Sequence, residues 1–106
     1  MTYLDPLAEL IRSCLPPGAT PPADADDLFR LYAVLLRAKG EQVRDEDVHD
    51  AWSAWMQTID SSHDALVPFE ELDSRTRAAD TPYAEAIRAA ARHLEGQRDR
   101  RPAASS

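Results

Sequence analysis

The sequence predicts a mainly α-helical protein, a compact bundle of about four helices with one extended, proline-containing segment. Apolar residues recur at intervals of three and four in several stretches, which is the spacing of one face of an α-helix. Capping residues precede these stretches, and prolines or glycines follow them. The chain has 106 residues and is 43% hydrophobic, which is enough for one small core and no second domain.

The first predicted helix begins at Asp5, a capping residue, with Pro6 at the first helical position, where its missing N–H does no harm. Its apolar stripe consists of Leu7, Leu10, Ile11 and Cys14. The proline-rich stretch 15–22 cannot continue this helix, because proline removes a hydrogen-bond donor and holds the preceding residue in extended geometry. We therefore expect a loop there.

The second predicted helix runs from Asp24 to Lys39, with acidic residues at its start and basic residues at its end, as the helix dipole favours. Gly40 is placed to end it with a positive φ. Apolar residues cover more than one stripe of this segment, which predicts a central helix buried on two sides or a helix at a dimer contact.

The third predicted helix begins at Asp45 as cap and has the clearest amphipathic pattern of the chain. Its inward-facing residues are predicted to be Val48, Ala51, Trp52, Trp55, Met56 and Ile59. We expect Trp52 to be the more buried of the two tryptophans.

Residues 66–69 should cross the core in extended form, and residues 70–79 should hold short helical turns. The last helix begins at Asp80 or Thr81 and ends at Gly96. Its inward-facing residues are predicted to be Tyr83, Ile87, Ala90, Ala91 and Leu94. Residues 1–96 are thus expected to form one helical domain, and residues 97–106, which lack apolar anchors, a disordered tail.

Charge and cysteine content exclude several functional classes. The net charge is −7, and the acidic residues concentrate in residues 41–80, which is the wrong sign for a nucleic-acid partner. The single cysteine and the acidic N-terminal stretch predict a cytoplasmic protein, and the short apolar runs predict no membrane association. Three glycines leave no phosphate-binding loop or nucleophile elbow.

Residues 48–94 resemble the ryanodine-receptor repeat (RyR) domain. The resemblance is carried by the H-x-x-W motif of His49 and Trp52, by the block from His63 to Leu72 with its L-x-P-F core, and by Asp80 before the last helix. It implies a binding module for a nucleotide-derived signal. The Gly-Trp-x-x-Gly segment usual in that family is missing, and the composition is also similar to that of small proteins of actinobacteria and their phages.

A candidate ligand site follows from this region. We expect the imidazoles and aromatic rings to converge near the arginines, so that the rings stack a base and a guanidinium neutralises a phosphate. The ligand is then a small nucleotide-like anion. The candidate residues are His49, Trp52, His63, Phe69, Arg75 and Arg77.

Other interpretations of the same residues remain open. The histidines beside Trp52 also fit a purely structural role, in which the protein is a structural or accessory protein that acts through protein contacts, as a monomer or a homodimer. Two such histidines with a distant Cys14 are too few for a zinc site, so no metal and no cofactor are expected. Spacing indicates no nucleophile, base and orienting acid, so the protein is not expected to be an enzyme.

Overall fold

The computed structural model describes residues 2–99 and confirms the predicted fold class. Four longer helices and one short helix follow each other along this part of the chain, which contains no β-strand. A proline-containing extended stretch lies between α3 and α4, where Pro68 has φ −55° and ψ 148°. The helices are α1 (Leu4–Ser13), α2 (Asp26–Lys39), α3 (Asp45–Met56), α4 (Ser74–Ala78) and α5 (Thr81–Asp99).

Helix α2 is the centre of the bundle, as its two-sided apolar pattern predicted. It packs against α1, α3 and α5. Side chains from three helices meet around it with almost no exposed surface, and the largest of them are Ile11, Leu28, Phe29, Tyr32 and Ile87. Phe29 and Tyr32 meet edge to face, with ring centroids 5.3 Å apart, a favoured aromatic geometry.

The helix starts differ from the predictions by one or two residues. Helix α1 begins at Leu4, so Asp5 lies within its first turn. The side chain of Asp5 accepts a hydrogen bond from the backbone N–H of Thr2 at 3.0 Å. Helix α2 begins at Asp26, because Asp24 has a φ of 54° and cannot be helical. Helix α3 is preceded by Arg44, so Asp45 is its first helical residue and not its cap.

The helix ends give a mixed outcome. Gly40 has a φ of 54° after α2, as predicted. Helix α3 ends at Met56, so Ile59 is 60% exposed and the prediction that it faces inward is wrong. Helix α5 continues three residues past Gly96 to Asp99. Residues 97–99 of the predicted tail are therefore helical, and residues 100–106 lie outside the described residues.

The two tryptophans are buried in the opposite order to the prediction. Trp55 is 8% exposed and belongs to the core, whereas Trp52 is half-buried at its edge. Both belong to the apolar side of α3, and the packing of neighbouring segments decides which is covered. Among the described residues, no helix is both long and apolar enough to cross a lipid bilayer.

Candidate functional site

Three of the predicted site residues meet at one cavity beside α3. His49 and Trp52 come from α3, and His63 comes from the loop that follows it. The cavity has a volume of about 280 Å³. We call it the Asp80 cavity, and its lining consists of Thr20, Pro22, Leu28, Tyr32, His49, Trp52, His63, Ala65, Thr76, Ala79, Asp80 and Tyr83. Because His63 and Ala79 are exposed, the cavity is reached from solvent.

His49 is the most buried polar residue of the site, with 3% of its surface exposed. Its Nε2 lies 2.6 Å from the carbonyl oxygen of Val67. A carbonyl oxygen only accepts, so Nε2 carries the proton and donates this hydrogen bond. His49 thereby fastens the extended stretch onto α3, which gives the H-x-x-W motif a structural role.

The rings beside His49 form a short aromatic series. The imidazole stacks on Trp52 with centroids 5.8 Å apart, and Trp52 meets His63 edge to face at 5.0 Å. The Nδ1 atom of His63 accepts the backbone N–H of Ala65 at 3.1 Å, which holds that ring against the indole. The series supplies one wall of the cavity.

Asp80 directly precedes α5 and lines the cavity next to His49. Its side chain is 15% exposed, and its Oδ2 has no hydrogen-bond partner within the described part of the chain. This oxygen lies 3.9 Å from His49 Nδ1, which is too far for a hydrogen bond. Burial raises the pKa of Asp80 from 3.8 to about 6, while His49 acts to lower it and Asp45 to raise it.

Two tyrosines complete the cavity on the side of the bundle core. Tyr32 and Tyr83 have ring centroids 5.8 Å apart, and both line the cavity. Burial is the largest cause that raises the pKa of each phenol, and the charge of Asp80 raises both further. Both phenols therefore lie within electrostatic reach of the carboxylate.

Ser53, His49 and Asp80 resemble a catalytic triad in composition and differ from one in geometry. Ser53 Oγ lies 3.4 Å from His49 Nε2, the nitrogen already bonded to the Val67 carbonyl. Because that nitrogen carries a proton in the neutral imidazole, it cannot accept the serine proton. The arrangement does not activate Ser53 as a nucleophile.

The other three predicted site residues do not line the cavity. Phe69 packs on the far side of His49, at 6.2 Å between centroids. The guanidinium of Arg77 lies 5.5 Å from the Phe69 ring and donates from one Nη to the Glu70 carbonyl. Arg75 is exposed on α4. The predicted site, in which rings stack on a base and an arginine binds a phosphate, is therefore not formed, because neither arginine lines the cavity.

The sequence interpretation missed Asp80, Tyr32 and Tyr83 as site residues. Asp80 has the position of a helix cap, and the tyrosines have the spacing of core residues. A cap is normally solvated, so only the packing of α2 and α3 over Asp80 marks it as unusual. No signal in the local sequence distinguishes this carboxylate from the chain's other helix-start acids.

Other regions lack this combination of features. A wider groove of about 660 Å³ lies between the C-terminal ends of α2 and α5, and its charged residues Arg37, Lys39 and Glu95 are exposed. No group of three or more histidine, cysteine or acidic side chains within residues 2–99 is arranged to hold a metal ion. Among the described residues, two buried side-chain atoms lack a hydrogen-bond partner, Asp80 Oδ2 and Arg77 Nε, and of these two residues only Asp80 lines the cavity.

Comparison with known proteins identifies a family and corrects the resemblance drawn from the motifs. A family model described as a domain of unknown function (DUF7701) matches residues 2–92. The RyR resemblance over residues 48–94 is wrong, because no RyR repeat family matches. Its H-x-x-W motif has a local explanation in the bond from His49 to Val67 and the stack on Trp52. No curated protein and no solved structure matches the chain significantly, so the similarity to actinobacterial and phage proteins stays untested.

Proposed function

We propose that this protein, which belongs to the DUF7701 family, acts as a binding module for a small molecule, with the Asp80 cavity as its site. One observation carries the proposal: the mostly buried carboxylate of Asp80 lines a cavity, and one of its oxygens has no hydrogen-bond partner within the described residues. Buried polar atoms are paired in the great majority of cases, and exceptions are concentrated at functional sites.

The composition of the cavity supports a binding role. Aromatic and aliphatic side chains supply most of its wall, and a few polar groups converge within it. That combination is typical of small-molecule sites, in which apolar area supplies affinity and a few polar groups set orientation. The volume of about 280 Å³ is at the lower limit of such sites, so the ligand is small.

We propose binding in preference to catalysis. A serine nucleophile needs a base that accepts its proton. His49 instead donates from Nε2 to a backbone carbonyl 2.6 Å away. The imidazole therefore holds the extended stretch and does not act as the base for Ser53. The cavity contains groups that can bind a ligand but no activated serine.

The expected nucleotide-like anion is not the ligand that we propose. No lysine or arginine is among the residues that line the cavity, whereas Asp80 is. Arg77 is engaged with Phe69 and Glu70. A phosphate would therefore meet a carboxylate of the same sign in a partly desolvated site.

The test is a fragment screen by two-dimensional NMR on the whole chain, with equal numbers of cationic, neutral and anionic fragments. Ala79→Trp places a large ring at the cavity mouth. Ala78→Trp, at the last residue of α4 directly before it, is the matched control, since Ala78 is exposed and does not line the cavity. We expect fragments that shift the Trp52 indole N–H to lose binding in Ala79→Trp alone.

The proposal fails if no fragment shifts the cavity resonances at about 5 mM, the weakest range a fragment screen detects. Equal binding by the Ala79→Trp and Ala78→Trp variants also contradicts it. Either result leaves the structural alternative as the better account of these residues.

The second candidate function is a structural or accessory protein that acts through protein contacts. Val34 on α2 and Ile59 after α3 are 47% and 60% exposed, and they are apolar side chains that such a contact would cover. Trp55 is buried in the core and is not available as an interface anchor. Light scattering of wild type and a Val34→Ser, Ile59→Ser variant tests this candidate: a wild-type dimer that the variant abolishes supports it, and a monomer in both cases rejects the dimer.

A further inference from the structure

We propose that the Asp80 cavity selects a small organic cation, an amine on an apolar or aromatic body, through the Asp80 carboxylate and the surrounding rings. This inference rests on the proposed binding function and adds the chemical class of the ligand. It is carried by the carboxylate that lines the cavity, by the sign of the charge around it and by the aromatic lining.

Asp80 is the group that the ligand would meet. Its side chain lines the cavity and keeps 15% of its surface exposed, although its Oδ2 is buried and has no hydrogen-bond partner within the described part of the chain. A carboxylate accepts hydrogen bonds, and a protonated amine has three donors and the opposite charge. An ammonium group in the cavity therefore forms charge-assisted hydrogen bonds with the exposed part of the carboxylate.

The charge of the surroundings selects a cation. Asp80 is the only acidic or strongly basic side chain that lines the cavity, and Asp45 adds a second carboxylate nearby. Asp45 accepts a hydrogen bond from Thr81 at 2.6 Å, which fixes it next to the start of α5. Burial makes this field stronger than it would be in water, so an ammonium ion is attracted and a carboxylate or phosphate is repelled.

The aromatic rings fit the same ligand. Tyr32, Tyr83 and Trp52 line the cavity around Asp80, and their faces carry negative quadrupole potential. Cations bind over such faces, and enclosures of several rings are the known way in which proteins recognise ammonium groups. The apolar part of the ligand then contacts Leu28 and Ala65.

The test measures the affinity of three probes of similar size by NMR titration: 2-phenylethylamine as the cation, 2-phenylethanol as its neutral isostere and phenylacetate as the anion. We expect wild type at about pH 8 to bind the amine at least about tenfold more tightly than the alcohol, because only the amine gains the charge-assisted bonds. Phenylacetate should bind most weakly.

The variant Asp80→Asn keeps the size of the side chain and removes its charge. We expect it to weaken amine binding by about tenfold and to leave alcohol binding within about twofold. The matched control is Glu85→Gln, which removes one exposed acid from the same helix and does not line the cavity. It should leave the binding of all three probes unchanged.

A pH series gives a second measurement on the wild-type protein. With a pKa of about 6, Asp80 is about nine-tenths protonated at pH 5, so amine binding should fall about tenfold from pH 8. The titratable groups around Asp80 are His49 and Asp45 from α3, His63 from the loop after it, Tyr32 from α2 and Tyr83 from α5.

Several outcomes overturn this inference. If the alcohol or phenylacetate binds the cavity as tightly as the amine, the ligand class is wrong while the binding function stands. Equal amine affinity in wild type and Asp80→Asn removes the role of the carboxylate. If the amine fails to bind at about 5 mM while other fragments shift the cavity resonances, the site exists and takes another class of ligand.

Discussion

Tyr32 stands between two differently built regions of the bundle. On one side Phe29, Ile11 and Ile87 form an apolar core in which each side chain is fully buried. On the other side lies the Asp80 cavity, with a partnerless carboxylate oxygen. The first region stabilises the fold through close packing, whereas the second keeps open space and a polar group whose burial costs free energy. This difference indicates that stability and ligand recognition are served by separate side chains around the same tyrosine.

Substitution in the apolar core is expected to give the largest effect. Phe29→Ala removes a ring with no exposed surface and should lower the free energy of unfolding by about 3–5 kcal/mol, through lost burial and the cavity left behind. Urea denaturation followed by circular dichroism measures it. Phe69→Ala is the matched control, because Phe69 is half-buried and should cost less. Equal losses would show that complete burial in the apolar core does not set the size of the effect.

The two tryptophans of α3 compare the core with the cavity wall within one helix. Trp55 is 8% exposed in the core, and Trp55→Ala should cost about 3 kcal/mol. Trp52 is half-buried at the cavity, and Trp52→Ala should cost about 1–2 kcal/mol. Denaturant titration of both variants checks the order. A larger loss for Trp52 would show that the cavity wall belongs to the stabilising core.

Asp80→Asn is expected to change stability with the opposite sign to these truncations. The pKa of Asp80 is about 6 in the folded protein, above its usual 3.8. The protonated group therefore favours folding below about pH 4, and this contribution is lost as the pH rises through 6. At pH 8 the substitution should raise the free energy of unfolding by about 1–3 kcal/mol.

The pH dependence separates this prediction from a general effect of the substitution. At about pH 4 both forms are uncharged at position 80, and the gain should nearly vanish. Thermal melting at the two pH values measures it, with Glu85→Gln as the control for charge removal on α5. If Asp80→Asn is instead less stable than wild type at pH 8, the carboxylate stabilises the fold. The cavity would then contribute to stability as the core does.

Much of the fold was predictable because helices depend on local spacing. The stripe from Val48 to Met56 identified α3, and the glycine at position 40 identified the end of α2. The errors lie at the ends of elements. Asp24 adopts a positive φ in the turn before α2, and α5 passes through Gly96, since one glycine lowers helix stability by only about 1 kcal/mol.

The candidate site was predictable only in part. The imidazole and indole rings of His49, Trp52 and His63 were expected to converge, and they do line one cavity. The arginines were chosen because a phosphate would need them. Arg77 instead lies against the Phe69 ring and donates a hydrogen bond to the Glu70 carbonyl. These two nearby partners hold its guanidinium away from the cavity. The RyR resemblance was wrong because short motifs of this kind also arise from packing alone.

The sequence by itself determined the mainly helical class, the central position of α2 and the approximate limits of the helices, because periodicity and capping act within a few residues. Tertiary structure alone decided which polar groups meet. His49, His63 and Asp80 are more than ten residues apart, and their relation depends on how α2, α3 and α5 pack. The same packing removes Asp80 from water, and that desolvation turns an ordinary helix-start acid into the centre of the candidate site.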